Sequence, residues 1–217
     1  MHVSAFVMSC EERQVTLAQT LASLAASGWD SPPEIILDQE FGDSKLGRIW
    51  DTWKRMIARA ARAETPYVLL LEDDVIFGGW FTHNVHSWRL LRGVPYNAGF
   101  YASLYNPGLP YVMRNESENY QVADPRWVWG SQALLLSTST ARYIDRNWHN
   151  LNLNPDLRMP RLVRPITAVY YHVPSLVDHA PAPTTWGGMV HSAIDFDPDW
   201  RQSEDRDTPR ALSSVTL

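Results

Sequence analysis

The chain has 217 residues, 45% hydrophobic and 20% charged, the mix of a soluble globular protein long enough to bury a sizeable core in one domain. A formal net charge of −5 argues against a general polyanion binder, and the single cysteine, Cys10, excludes an intramolecular disulfide framework or a cysteine zinc cluster. Ten tryptophans are unusual; flat rings in excess of core needs often line clefts that hold rings or sugars.

The opening stretch "MHVSAFVMSCEERQ" has neither the basic leader nor the long apolar run of a signal peptide. No run approaches the roughly 18 apolar residues of a membrane span. With one cysteine fitting a reducing compartment, the expectation is a cytoplasmic protein in which the sequon Asn115-Glu116-Ser117 goes unused.

In chain order, "VSAFVMSC" (3–10) reads as a buried strand. "EERQVTLAQTLASLAASG" follows as a helix, with Val15, Leu17, Leu21, Leu24 and Ala25 as its stripe and Gly28 as its stop. "PPEIILD" (32–38) is a second strand ending in an acid. "DSKLGRIWDTWKRMIARAARAE" is the clearest helix: Leu46, Ile49, Trp50, Trp53, Met56, Ile57 and Ala60 share one face, with Asp43 or Ser44 as cap. "PYVLLLEDD" is a third strand, apolar throughout as a strand covered on both faces must be. Strand–helix–strand–helix–strand within 75 residues predicts a parallel α/β sheet with right-handed crossovers.

Beyond it, residues 81–91 read as a helix, 98–105 as a strand and 127–137 as strand-like. Thr138 or Ser139 then caps a helix running to about Asn150. "ITAVYYHVPSLVDH" is a last extended run broken by Pro174. The expected organisation is one domain over 1–196 and a loose charged tail over 197–217.

The run "YVLLLEDDV" ends a buried strand in Glu72, Asp73 and Asp74. In an open parallel sheet, ligands gather beyond the carboxyl ends of strands, and Asp38 falls there too. Crowded carboxylates stay ionised if a cation sits among them. Hard ions such as Mg²⁺ or Mn²⁺ take one or two protein carboxylates plus substrate phosphates. The alternative is a solvated turn or a cap for the following helix.

"LLLEDDV" at the end of a βαβαβ half, with "SCEER" and the "TLAQTLASL" helix before it, resembles the nucleotide-sugar glycosyltransferases of the GT-A fold, whose metal motif is Asp-x-Asp or Glu-Asp-Asp. "VPSLVDHAPAPTTWGG" (173–188) is similar to the "PSL-x-x-H" segment that several of them, N-acetylglucosaminyltransferases included, carry late in the domain. The pieces cover most of 3–80 and 125–188. The chain departs from the family at Asp178, where Gln is usual, and at Ala180, often Gly; 95–125 has no counterpart.

The resemblance implies an α/β fold with a mostly parallel mixed sheet flanked by helices, and transfer of a sugar from a nucleotide-diphosphate donor, UDP-linked, to a hydroxyl. It implies Asp74 as direct ligand of Mn²⁺ or Mg²⁺, supported by Glu72 and Asp73, with His179 completing the shell. His172 and His191 are the rival histidines. Asp38 would meet the ribose or uracil, and Ser9 and Arg13 would border base and diphosphate. Asp156, in "NPDLRMPRL", lies where related inverting enzymes keep a base, with Asp124 in reserve; a plain turn residue is the other reading of Asp156.

Lys45, Arg48 and Lys54 are candidate diphosphate partners or ordinary surface charges. Trp127, Trp129 and Gly130 suit sugar stacking or simply the core, and Trp186 with Gly187 and Gly188 suits a flap. The acceptor is open: glycan, protein, small molecule or a modified nucleic-acid base. Two other functions compete. A nucleotidyltransferase would want a Gly-rich loop after the first strand, where this chain has "SCEERQ". A carbohydrate-binding module would use the tryptophans for glycan and the acids for a structural cation.

Overall fold

The computed structural model describes residues 2–38, 45–95, 97–180 and 192–203. In chain order its elements are β1 (Val3–Ser9), α1 (Gln14–Ala26), β2 (Glu34–Leu37), α2 (Lys45–Ala60), β3 (Tyr67–Glu72) and β4 (Val75–Phe77). Then come α3 (Phe81–Ser87), α4 (Arg89–Gly93), β5 (Tyr101–Ser103), β6 (Tyr111–Asn115), β7 (Tyr120–Ala123) and β8 (Ala133–Ser137). α5 (Thr138–Asn147), α6 (Pro155–Val163), β9 (Val169–His172) and β10 (Val177–His179) complete the chain.

Among the described residues, eight strands form one sheet in the order β2-β1-β3-β8-β5-β9-β7-β6, and β4 pairs with β10 in a second. β2, β1 and β3 are parallel, β8 and β7 are reversed, and the remaining strands run with β1. The sheet is therefore mixed and mostly parallel, as expected. One apolar cluster (Leu17, Leu24, Leu69, Leu71, Phe81) packs on one face and another (Trp53, Met56, Ile57, Leu70, Ile144) on the other. Trp53, Met56 and Ile57, all 2% exposed or less, seat α2 on the sheet. Each large side chain so buried contributes about 1.5–3 kcal/mol.

Several boundaries differ from the sequence reading, for identifiable reasons. The predicted 81–91 helix breaks at Trp88, whose extended backbone lets its ring enter the core and its Nε1–H donate to the Glu118 carbonyl (3.0 Å). α5 is capped by Ser137, which accepts from the Thr140 amide, rather than by Thr138 or Ser139. "NPDLRMPRL" is the helix α6, not a turn: Pro155 suits its first turn, and buried Met159, Leu162 and Val163 offset the bond lost at Pro160. Within the expected tail, Gln202 is buried, and its amide donates to Asn84 Oδ1 (2.8 Å). Among the described residues no helix is long and apolar enough to cross a membrane.

In α1 the buried positions are Leu17, Thr20 and Leu24, whereas Val15 is 74% exposed. Thr20 replaces an apolar stripe position because its hydroxyl clamps the turn after β3: Oγ1 donates to the Asp73 carbonyl (2.7 Å) and accepts from the Val75 amide (3.1 Å). The near-isosteric Thr20→Val leaves both buried backbone groups unpaired. It should destabilise the fold by about 1–3 kcal/mol, read as a lower urea midpoint; an unchanged midpoint would show the clamp to be dispensable.

Candidate active site

β3 delivers the acids to the carboxyl edge of the sheet because its five apolar residues are buried between the helix layers and Glu72 is the first to emerge. The turn 73–74 then leads into β4, and the β4–β10 pairing sets His179 opposite Val75. The Ala180 amide donates to the Asp74 carbonyl (2.7 Å). This places the His179 ring against Asp74: Nε2 lies 3.2 Å from Oδ2, with both side chains under a tenth exposed. His179 Nδ1 faces its neighbouring carbonyl, Ala180 O, at 2.8 Å.

The acids differ in their partners, with Arg13 shared between Asp73 and Asp74. Asp73 is fully engaged: Arg13 Nε reaches Oδ1 (3.0 Å) and Ser9 Oγ donates to Oδ2 (2.5 Å). Glu72 Oε1 accepts from Ser131. Asp74 Oδ2 takes Arg13 Nη2 (2.5 Å) as well as His179, while its Oδ1 is buried with no hydrogen-bond partner. A buried carboxylate oxygen without a donor is costly.

The electrostatics follow these contacts. Burial pushes Glu72 up to about 7, with Asp74 repulsion adding and Ser131 opposing. Burial likewise lifts Asp73 to about 6 against Ser9 and Arg13. Burial also favours protonated Asp74, but the bonds from His179 and Arg13 outweigh it and hold this carboxyl below its ordinary value. His179 is raised, first by its bond to Asp74 and against desolvation. Both shifts share one cause, the contact between the His179 ring and the Asp74 carboxylate.

Beside the acids opens a cleft of about 360 Å³, bordered by Ser9, Arg13, Asp38, Arg48, Glu72 and Asp73. Five of these are expected site residues brought to one place: Ser9, Arg13, Asp38, Glu72 and Asp73. Arg13 lines the cleft, yet its guanidinium is bound to the acids. Asp38 faces Arg48 across 3.5 Å, and its amide bonds to the Ser9 carbonyl (2.7 Å), which fixes the end of β2 to the end of β1.

Asp156 lies in the first turn of α6, where the Gly130 and Leu157 amides bond it and burial raises its pKa over their opposition. Gly130 precedes Ser131, the partner of Glu72, so Asp156 reaches the same edge of the sheet. Trp127 and Trp129 are 65% and 38% exposed, so they are surface rings beside this edge rather than core.

The other candidates separate. Asp124 is paired with Arg126 on the surface, and His172 is buried against the Trp88 and Trp200 rings with Nδ1 at the Pro174 carbonyl. Lys54 is exposed on α2 beside a different cavity. His191, Trp186, Gly187, Gly188, the Asp43 and Ser44 caps and the Lys45 side chain lie outside the described residues. Sequence reasoning missed Thr20, Ser131 and Tyr105. The Tyr105 hydroxyl is buried without a partner and its pKa is raised by burial and by Asp178, Glu72 and Asp74. Only the serine beside Gly130 carried a local signal, as a small polar residue opening an apolar strand.

Among the described residues no three His, Cys, Asp or Glu side chains converge as a complete metal cage. The donor set nevertheless fits a partial site. Asp74 Oδ1 lacks a donor, and a His179 tautomer with its proton on Nδ1, given to Ala180 O, offers Nε2 as a ligand beside Asp74.

No family profile and no curated protein matches the chain. Among solved structures it is similar to the galactosyltransferase LgtC in complex with donor and acceptor sugar analogues: 13% identity, TM-score 0.47, covering 83% of this chain and 87% of that one. It is also similar to a glycosyltransferase involved in glycosylation of the major capsid of PBCV-1 (10%, 0.41, 80% and 93%). A third is 4-diphosphocytidyl-2C-methyl-D-erythritol synthase from Anaerococcus prevotii (11%, 0.46, 85% and 94%).

In the metal-free protein Glu72 carries a pH dependence of defined sign. Its carboxyl binds a proton more tightly folded (about 7) than at its ordinary 4.5, so it costs stability as pH rises through that window. Glu72→Gln should match the wild type at pH 4 and exceed it by about 1–3 kcal/mol at pH 8. Urea unfolding at both pH values checks this; a stability difference that does not change with pH would contradict it.

Proposed function

We propose that the chain transfers a glycosyl group from a nucleotide-diphosphate sugar, UDP-linked, to a hydroxyl acceptor, with Mn²⁺ or Mg²⁺ held by Asp74 and His179. The observation that carries this reading is the unpartnered Oδ1 of buried Asp74, a carboxylate held against the His179 imidazole and next in the chain to Glu72 and Asp73, which line a cleft of about 360 Å³. One or two protein ligands completed by substrate phosphates are the usual arrangement for such ions, and imidazole favours manganese over magnesium. When bound, the ion supplies Lewis-acid neutralisation of the leaving diphosphate.

This chain's own groups do the rest. Asp38, at the joined ends of β1 and β2, accepts hydrogen bonds from the nucleoside. Ser9 and Arg13 hold Asp73, and Ser131 holds Glu72, so that Asp74 keeps one orientation. Asp156 removes the acceptor hydroxyl proton if the reaction inverts the anomeric carbon; its raised pKa moves it toward the value a general base needs near neutral pH. The exposed faces of Trp127 and Trp129 offer a stacking surface for a sugar acceptor. The turn after β1 is a short 3-10 helix, Glu11–Arg13, without glycine, which does not favour the nucleotidyltransferase alternative.

Calorimetry with UDP tests the donor site. Mn²⁺ should tighten UDP binding to the wild type and have no effect on Asp74→Ala, which also loses turnover; absence of UDP binding with and without Mn²⁺ would favour a carbohydrate-binding module instead. Asp156→Asn should retain UDP affinity and lower kcat by about 10²–10⁴-fold. Unaltered kcat in that variant would remove Asp156 as the base.

A further inference from the structure

A second cavity, of about 320 Å³, lies between α2 and the segment that joins α5 to α6, with Trp50, Lys54, Trp148, His149 and Arg158 in its lining. Arg158 is 3% exposed, and its guanidinium carbon sits over the Trp50 ring at 4.4 Å and the Trp148 ring at 4.7 Å. Among the described residues no carboxylate comes within ion-pair distance of it, and its buried Nε has no hydrogen-bond partner. The buried indole Nε1 of Trp50 is likewise unpartnered.

Two aromatic faces stabilise a cation, but they satisfy none of the five guanidinium N–H donors. A buried charge normally has a counter-charge. The missing partner is an anion. The guanidinium fork matches carboxylate and phosphate alike, so the rim decides between them. Lys54 adds a second positive charge, while Asp51, the acid on the rim, is already bound to Arg55 (2.9 Å). Two cationic groups suit a phosphate dianion better than a carboxylate. The cavity is at the lower end of the small-molecule range, which favours a small phosphorylated compound over a macromolecule.

We infer that this cavity is a phosphate-binding site, with Arg158 held by its two tryptophans as the primary anion contact and Lys54 as the second. It is distinct from the acid cluster. Its residues come from residues 50–54 of α2, the segment after α5 and the start of α6, so the bound phosphate lies on the helix layer flanking the same end of the sheet as the cleft.

The test is calorimetric titration of the intact chain with inorganic phosphate, glycerol phosphate and acetate at constant ionic strength, without nucleotide or divalent metal. Its outcome is therefore independent of the donor assignment. Saturable phosphate binding is expected, with acetate at least about tenfold weaker. Tighter binding of the monoester points to a phosphorylated compound and tighter binding of inorganic phosphate to the free anion; either result upholds the site. Arg158→Gln should weaken binding by about tenfold or more, with its fold checked by circular dichroism. Because Arg158 is buried, the surface change Lys54→Glu provides the second arm and should weaken phosphate several-fold in a chain that folds normally. No saturable phosphate binding by the wild type, equal affinity for acetate, or wild-type affinity in Lys54→Glu would overturn the inference.

Discussion

Three acids in sequence at the end of a buried strand set the terms for this edge of the molecule. Their mutual repulsion and desolvation both favour protonation, and the fold answers each acid with a different set of partners, Arg13 being shared by Asp73 and Asp74. Asp73 is bonded by Arg13 and Ser9 and Glu72 by Ser131, and burial raises both toward neutral pH. Asp74 alone stays firmly ionised, held by His179 and Arg13, with one oxygen left over. The cluster is thus a graded arrangement rather than three equal charges, and its asymmetry is the reason Asp74 is the proposed cation ligand.

The secondary structure serves that asymmetry. Parallel pairing of β1 with both β2 and β3 brings Ser9, Asp38 and Glu72 to one edge, and the small β4–β10 sheet carries His179 in from about a hundred residues away. Thr20 locks the turn between β3 and β4 from α1. A slip of one residue in the β4–β10 register would turn His179 to the opposite face and dissolve the pair. The metal site, as proposed, depends on strand register as much as on acid chemistry.

The sequence disclosed the parts of this arrangement that follow from local pattern. "YVLLLEDD" declares a buried strand and its polar end, so Glu72, Asp73 and Asp74 were legible, as were β1, β2 and α2 with its face of Trp53, Met56 and Ile57. The hairpin of β6 and β7 was not: Tyr111, Val112 and Met113 are all exposed, so no in–out alternation marks the strand. The two prolines of α6 disguised a helix whose buried face decides the matter, and Trp88 broke a helix by docking elsewhere. Thr20, Ser131 and Arg158 act through partners distant in the chain, which periodicity does not report. Asp156 was read from resemblance alone, and its link to Gly130 emerges only when α6 packs against the loop before β8.

The most direct measurement is an anomalous difference map from a crystal soaked in Mn²⁺ and uridine diphosphate. The account predicts one strong manganese peak bonded to Asp74 Oδ1 and His179 Nε2, with the diphosphate oxygens completing its shell and the uridine in the cleft by Asp38. Manganese and nucleotide bound at some other place, or an acid cluster that stays free of both at saturating concentrations, would contradict it.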